Sequence, residues 1–266
     1  MAPHDLEGKV VLITGATDGL GRGLARAVAG AGGIVLVHGR SQARIDEMLA
    51  ELPGARGYRA DLSSLEEVRR VAGEVRDAEP RLDVLVNNAG IGTGERELSQ
   101  DGYELRFAVN YLAGFLLTAL LRDRLVAAAP ARIVNVASAG QMAIDFDDVM
   151  LERDYSGVRA YCQSKLAQIM HAFDLAEDLG ERGVTANALH PGTYMPTKMV
   201  RAAGTTPVTP LEDGVEATWR LAADAALDGV TGRYFFATDE ARADAQAYDA
   251  DARRRLRELS KKLVGV

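Results

Sequence analysis

The segment KVVLITGATDGLGRGLARAVAG, residues 9–30, decides the fold. Its first six residues form a short β-branched apolar run of the kind a strand needs when both its faces are buried. Glycines at 15, 19 and 21 interrupt the run. The stretch GRGLARAVAGAG beyond them places Ala, Leu and Val at helical spacing, with charge on the other face. Working outward, apolar β-branched runs recur at 33–39 (GIVLVHG), 82–88 (LDVLVNN), 131–138 (ARIVNVAS) and 183–190 (GVTANALH), separated by amphipathic pieces such as SLEEVRRVAGEVRDA. Strands alternating with helices predict right-handed βαβ units and a doubly wound parallel sheet covered by helices on both faces. Ser63, followed by Glu66 and Glu67, predicts a helix start just after Asp61, with a hydroxyl cap and carboxylates at the positive helix end.

No repeat, low-complexity linker or charge block divides the 266 residues, so one α/β domain over 1–266 is expected. Residues 139–158 are irregular and acidic, which predicts a loop insertion near a site; 193–225 is expected to form a loop-and-helix cap over a substrate. The tail from about 240 to 264 predicts a peripheral amphipathic helix. A formal charge of −7 argues against nucleic-acid or anionic-membrane partners and favours small-molecule chemistry. Cys162 is the sole cysteine, so no internal disulfide can form, and no Cys/His cluster has metal-site spacing. The chain lacks a basic leader followed by an apolar run and any membrane-length apolar stretch. A cytoplasmic location without metal is the expectation.

TGATDGLG, Thr14 to Gly21, lies between the first strand and the first helix. There Gly15, Gly19 and Gly21 allow a sharp turn, close approach of a pyrophosphate and tight helix packing, while the helix amino end, including Thr17, Asp18 and Leu20, offers N–H groups to the anion. The reading is a dinucleotide site in a Rossmann domain, although the spacing GxxxGxG differs from GxGxxG. An ordinary glycine turn is the competing reading.

Tyr161 and Lys165 in YCQSK are four positions apart among strong helix formers, so both project from one face. An ammonium beside a phenol, joined by a positive nicotinamide ring, should pull the phenol from its usual value near 10 toward neutrality and make it an acid/base. Tyr194 and Lys198 repeat the pattern, but Pro191, Gly192 and Pro196 deny them a regular helix. Tyr155 and Arg159 sit in the irregular stretch. Ser138 ends a predicted strand at the sheet edge where ligands of open α/β folds collect. With Tyr161 and Lys165 it is a candidate to polarise a carbonyl.

The glycine turn, NNAG at 87–90 and YCQSK at 161–165, in this order and separation, resemble the short-chain dehydrogenase/reductase family over nearly the whole chain. The 23 positions from Ser138 to Tyr161 resemble the branch that includes retinol dehydrogenases and light-dependent protochlorophyllide reductases. The resemblance implies that Asn110 holds a water leading to Lys165, with a satisfied core amide as the alternative. It implies that Asp61 and Leu62 lie along the adenine, that Asn88, Ala89 and Gly90 approach the ribose, and that Pro191 and Gly192, after His190, turn beside the carboxamide. A threonine is implied next, but Pro196 takes its place and leaves Thr193 and Thr197 as alternatives. His190 is read as structural. A homodimer or homotetramer paired through helices at 99–127 and 159–180 is also implied.

At the end of the second strand an acidic residue would favour NAD; this chain has His38, Gly39 and Arg40. Arg40 can grip a 2'-phosphate, so NADP(H) is preferred over NAD(H), a solvated arginine being the alternative. Asp18 stands where some NADP-dependent relatives carry a basic residue. The expected activity is NADPH-dependent reduction, or the reverse oxidation, of a bulky, partly apolar carbonyl or alcohol. A non-catalytic dinucleotide sensor and an NAD-linked alcohol dehydrogenase are the competing readings.

Overall fold

The computed structural model describes residues 6–266; residues 1–5, the start of the amino-terminal segment read above, lie outside the described residues. Strands β1 (Val10–Ile13), β2 (Ile34–Gly39), β3 (Arg56–Arg59), β4 (Val84–Asn87), β5 (Ala131–Val136), β6 (Val184–His190), β7 (Tyr234–Phe236) and β8 (Asp239–Ala241) form one sheet. Their order is β3-β2-β1-β4-β5-β6-β7-β8, with every pairing parallel except β7 with β8. The unbroken apolar runs follow from this architecture. Along β1, Val10 and Leu12 enter one core while Val11 and Ile13 enter the other, because successive strand side chains point to opposite faces.

Helices α1 (Gly19–Gly30), α2 (Gln42–Glu51) and α7 (Leu211–Ala223) cover one face, and α3 (Leu65–Ala78), α4 (Ala113–Ala127) and α5 (Gly157–Leu179) the other. A short α6 (Lys198–Ala202) and the last helix α8 (Ala250–Val264) complete the helices treated below. The doubly wound parallel α/β sheet is thus as expected, although β7 and β8, three residues each, carried too little periodicity to be read in advance.

Four local readings change. The cap of α3 is Ser64, whose Oγ accepts from Glu67 N–H at 3.3 Å, while the Glu67 carboxylate takes the Asp61 N–H at 2.8 Å; Ser63 instead donates its own N–H to the Asp61 carboxylate. The helix expected at 99–127 begins late. Ser99 Oγ accepts the N–H groups of Asp101 and Tyr103, and Gly102 has φ +83°, so side-chain bonding and a left-handed residue displace helix there. A wide π-type turn, Phe107–Leu112, then leads into α4. The segment 193–225 divides. Val215 of α7 fills the space beside Gly23, so that helix belongs to the outer layer with α1, and 193–210 is left at the sheet edge.

The tail helix also starts later than 240, at the Asp249 cap, and lies across its neighbours. Its apolar residues Ala252, Leu256 and Val264 are buried, Arg253 and Arg257 pair with Asp174 of α5, and Ser260 hydrogen-bonds Tyr111. It therefore covers part of the α4/α5 face through which subunit pairing was expected.

Candidate active site

Chain connections run one way from β1 to β2 and the other way from β4 to β5, and the crevice lies where these neighbours part. Thr14 ties the two strand ends together. Its Oγ1 accepts the N–H groups of Asn88 and Ala89 at 2.9 and 3.0 Å, and Asn88 Nδ2 donates back to Thr14 O at 2.7 Å. Gly15 and Gly19 have φ of +67° and +49°, and a Cβ on Gly21 would stand 2.3 Å from the Gly15 carbonyl oxygen. Only glycine permits this turn. Asp18 caps α1 through the Gly19 N–H at 2.8 Å, leaving first-turn N–H groups such as that of Leu20, which no intrahelical carbonyl reaches, for an anion. The Asp18 charge is countered by Lys198 at 2.7 Å and Arg44 at 3.5 Å, which lowers its pKa against burial. The cradle therefore fits a dinucleotide pyrophosphate.

Arg40 follows β2, exposed and with no ion pair among the described residues. His38 behind it is buried, accepts the Gly15 N–H at 3.2 Å through Nδ1, and is held neutral by burial, its pKa near 4. Thr17 rests against Gly39. Asp61 caps a tight turn through Ser63, and Leu62 is buried beside it.

Across the crevice, Ser138 follows β5 and Tyr161 and Lys165 share one face of α5. Ser138 hydrogen-bonds the Tyr161 phenol and also accepts the Gly140 N–H at 3.0 Å. Lys165 Nζ lies 5.7 Å from the Tyr161 ring centre and donates to Val136 O at 3.0 Å and Gln168 Oε1 at 2.8 Å. The electrostatics are those of the chain without the nicotinamide charge on which the sequence expectation rests. Burial drives the Tyr161 phenol above its ordinary value, opposed by the Ser138 hydrogen bond, because the lysine charge faces the ring and carbonyls rather than the hydroxyl. Burial also brings Lys165 down to about 7.

A stability prediction follows for the cofactor-free chain. Between about pH 7 and the ordinary lysine value of 10.5, the unfolded chain binds a proton at this lysine that the folded chain does not, so stability rises with pH by up to roughly 1.4 kcal/mol per unit. Below about 7 both states are protonated and this slope vanishes. Lys165→Met should remove it in urea titrations; an identical slope in variant and parent would show that Lys165 titrates normally.

Asn110 sits in the π-type turn, buried, with Oδ1 accepting the Ile91 N–H at 2.8 Å and Nδ2 donating to Ser164 Oγ at 2.9 Å. Gly90 lies between Asn110 and Lys165: its absent Cβ would be 3.2 Å from Asn110 Oδ1 and 3.4 Å from Lys165 Nζ. These bonds satisfy the Asn110 amide, and only the Gly90 backbone stands between its Oδ1 and Lys165. Sequence reading missed the buried amides behind the lysine. Thr118, Asn87, Asn135 and Gln168 form a chain in which Asn87 donates to Thr118 and Asn135, and Asn135 to the Gln168 carbonyl. Polar residues within apolar strands were the available signal.

The third wall is 190–204. His190, neutral with a pKa near 4, bonds Thr193 at 3.1 Å, which fits its structural reading. Pro191 is buried, and Gly192 packs against Thr209. Thr197 caps α6 and rests 3.1 Å from where a Gly19 Cβ would stand, Lys198 grips Asp18, and Met199 covers Gly92. Tyr194, at φ +48° and exposed, lies before α6 while Lys198 opens that helix, so the second Tyr-xxx-Lys pair shares no helix. Residues 139–156 form the opposing irregular wall, two residues shorter than expected because Ser156 caps α5 there, and it is anchored by Ile144 to Gln246 and by Arg96 to the carbonyls of Met150 and Leu151. Among the described residues no cluster of three His, Cys, Asp or Glu is placed to hold a metal ion.

A Tyr and Lys on one helix turn, a Ser on the phenol, and a glycine cradle facing them can hold a nicotinamide dinucleotide and exchange a proton with a carbonyl oxygen. The family model for short chain dehydrogenase matches residues 9–207. The chain belongs to the short-chain dehydrogenase family. Within it, the chain is similar to the retinol dehydrogenase branch: human retinol dehydrogenase 13 is 35% identical over 98% of this chain and 86% of its own. A Streptomyces protein provisionally named daunorubicin C-13 ketoreductase DnrU is 41% identical over 71% of this chain and 68% of its own. Among solved structures, the Pseudomonas aeruginosa RhlG/NADP active-site complex superposes with a TM-score of 0.72 and 28% identity, covering 89% of this chain and 97% of that one. This short-chain dehydrogenase is therefore an oxidoreductase of alcohol and carbonyl groups that uses a nicotinamide dinucleotide.

Proposed function

We propose that the protein is an NADPH-dependent reductase, reversible as a dehydrogenase, of a bulky and partly apolar carbonyl compound. The observation that carries this reading is the meeting of Ser138, Tyr161 and Lys165 opposite the glycine cradle. Ser138 would hydrogen-bond the substrate oxygen and Tyr161 would protonate it. Lys165, released from Val136 O, would bind the ribose and carry its charge toward the phenol. Asn110 would support proton delivery beside it. The bound nicotinamide supplies the hydride and, once oxidised, positive charge beside the phenol. Gly15, Thr17, Asp18, Gly19, Leu20 and Gly21 would hold the pyrophosphate, Asp61 and Leu62 the adenine, Asn88, Ala89 and Gly90 the ribose, and Pro191 and Gly192 the carboxamide end.

Arg40 supports the phosphate-bearing cofactor, since it makes no ion pair among the described residues and no carboxylate stands in its place at the end of β2. The NADP complex of the relative above is in keeping with it. Arg40→Ala is expected to weaken NADPH roughly 10- to 100-fold, the worth of charged hydrogen bonds, while leaving NADH within about twofold. Calorimetric titration with both cofactors checks this, and an NADPH affinity left unchanged would point to an NAD-linked enzyme or a solvated Arg40. Substrate bulk is supported by the irregular wall at 139–156, by the exposed apolar side chains Met142 and Tyr194 in the two irregular segments, and by the names of the retinol and daunorubicin relatives. Cytoplasmic residence belongs to the same proposal, supported by the lone Cys162, as does the lack of nucleic-acid partners at a charge of −7. The implied homodimer or homotetramer gains no support from α8, which occupies part of the expected pairing face.

A further inference from the structure

A second cavity of about 430 Å³ opens between α4, α5 and α8, and of the residues described around the active site it shares only Thr118, at the end of the amide chain. Its inner wall is apolar, formed by buried Tyr111, Phe115, Leu179 and Leu256. His171 also lines it. This imidazole is only 8% exposed, and neither ring nitrogen has a hydrogen-bond partner among the described residues. The Phe115 ring lies 5.0 Å from it and Tyr111 6.1 Å, but the Tyr111 hydroxyl is committed to Ser260. Burial holds His171 neutral, its pKa near 3, so it presents one donor and one acceptor. Its nitrogens are not among the sealed, unpartnered atoms of the described residues, so this bonding capacity is open to the cavity that His171 lines.

The mouth carries charge. Arg122 pairs with Asp178, Arg257 with Asp174, and Glu177 with Arg253 of the neighbouring turn. Lys261, exposed at the rim, has no carboxylate partner among the described residues and leaves one positive charge over. We propose that this cavity binds a small aromatic monocarboxylate. Its apolar ring system fills the space lined by Phe115 and Leu256, a hydroxyl or carbonyl group at its inner end meets His171, and its carboxylate lies at Lys261. The site is independent of the reaction proposed above, and so is its test.

The probe is 6-hydroxy-2-naphthoate, whose own fluorescence reports binding, titrated into NADPH-saturated protein. Saturable binding of one molecule per chain is expected. 2-Naphthoate, lacking the inner hydroxyl, and 2-naphthol, lacking the carboxylate, should each bind roughly tenfold more weakly. His171→Phe should abolish the preference for the hydroxyl, and Lys261→Glu should weaken the acids without weakening 2-naphthol. Ala119 lines the cavity from an exposed position, so Ala119→Trp should fold, remove probe binding and leave carbonyl reduction unchanged. Absence of saturable binding, equal affinity for the three probes, or binding untouched by Ala119→Trp would overturn the proposal. So would sedimentation showing that the parent is a dimer and Ala119→Trp a monomer, since the face would then belong to a second copy.

Discussion

Tyr161→Phe is expected to lower kcat for carbonyl reduction by roughly 10²- to 10⁴-fold, the usual worth of a positioned general acid, while the Kd for NADPH changes less than about threefold. The asymmetry follows from geometry. The phenol is held by a hydrogen bond from Ser138 and by burial, whereas the cofactor cradle is made of backbone at Gly15, Gly19 and Gly21 and of Lys165. Removing one hydroxyl takes away the proton donor and leaves the cradle whole. In the cofactor-free chain burial raises the phenol, so proton transfer depends on charge arriving at its oxygen. The rate profile of the parent should accordingly rise or fall around the titration of the Tyr161 and Lys165 pair taken together, and that inflection should be missing from the residual activity of the variant. Kinetics with a bulky aromatic ketone and direct cofactor titration separate the two effects. Loss of cofactor binding in step with loss of rate would assign Tyr161 a structural role.

The second large effect is expected at Gly21. An added methyl there would stand 2.3 Å from Gly15 O and 2.6 Å from Asn88 Nδ2. Neither neighbour can give way cheaply: the first is backbone at a left-handed residue, and the second holds β4 to β1 through Thr14 O. Gly21→Ala should destabilise the protein by roughly 1–3 kcal/mol, as overpacking does, and raise the Kd for NADPH at least tenfold because the turn that approaches the pyrophosphate is pushed apart. Gly73 provides the contrast. It lies inside α3 with open space where a Cβ would go, so Gly73→Ala should be neutral or stabilise by up to about 1 kcal/mol. Denaturant titration of both variants checks the pair, and similar stability changes in the two would mean that the clash at Gly21 is relieved without cost.

Legibility in the sequence followed the range of the interactions. β1, the glycine turn and α1 were readable because each rests on neighbouring residues: buried β-branched strands, positive φ at Gly15 and Gly19, and helical spacing after them. Tyr161 and Lys165 were readable from a single helical turn, and Ser138 from the end of a strand. What lay hidden joins distant parts of the chain. No local pattern announces that Lys165 donates to the Val136 carbonyl, that Asn135 reaches the Gln168 carbonyl, or that Lys198 closes onto Asp18. The direction of the Tyr161 shift in the cofactor-free chain was hidden in the same way: spacing placed the lysine nearby, but Val136 O and Gln168 decide where its charge points. The path of α8 is set by Asp174 and Tyr111, well before it in sequence. Its amphipathic pattern gave a helix without saying which surface it would cover.

The most direct test follows the hydride itself. The protein is supplied with NADPH carrying deuterium at the hydride-donating carbon of the nicotinamide, together with bulky aromatic ketones and aldehydes, and the alcohol products are examined by mass spectrometry and NMR. Deuterium on the carbinol carbon, formed by the parent and lost with Tyr161→Phe, is the predicted result. NADPH bound in the cradle without transfer to any carbonyl, or transfer that continues undiminished without the Tyr161 hydroxyl, would contradict the account.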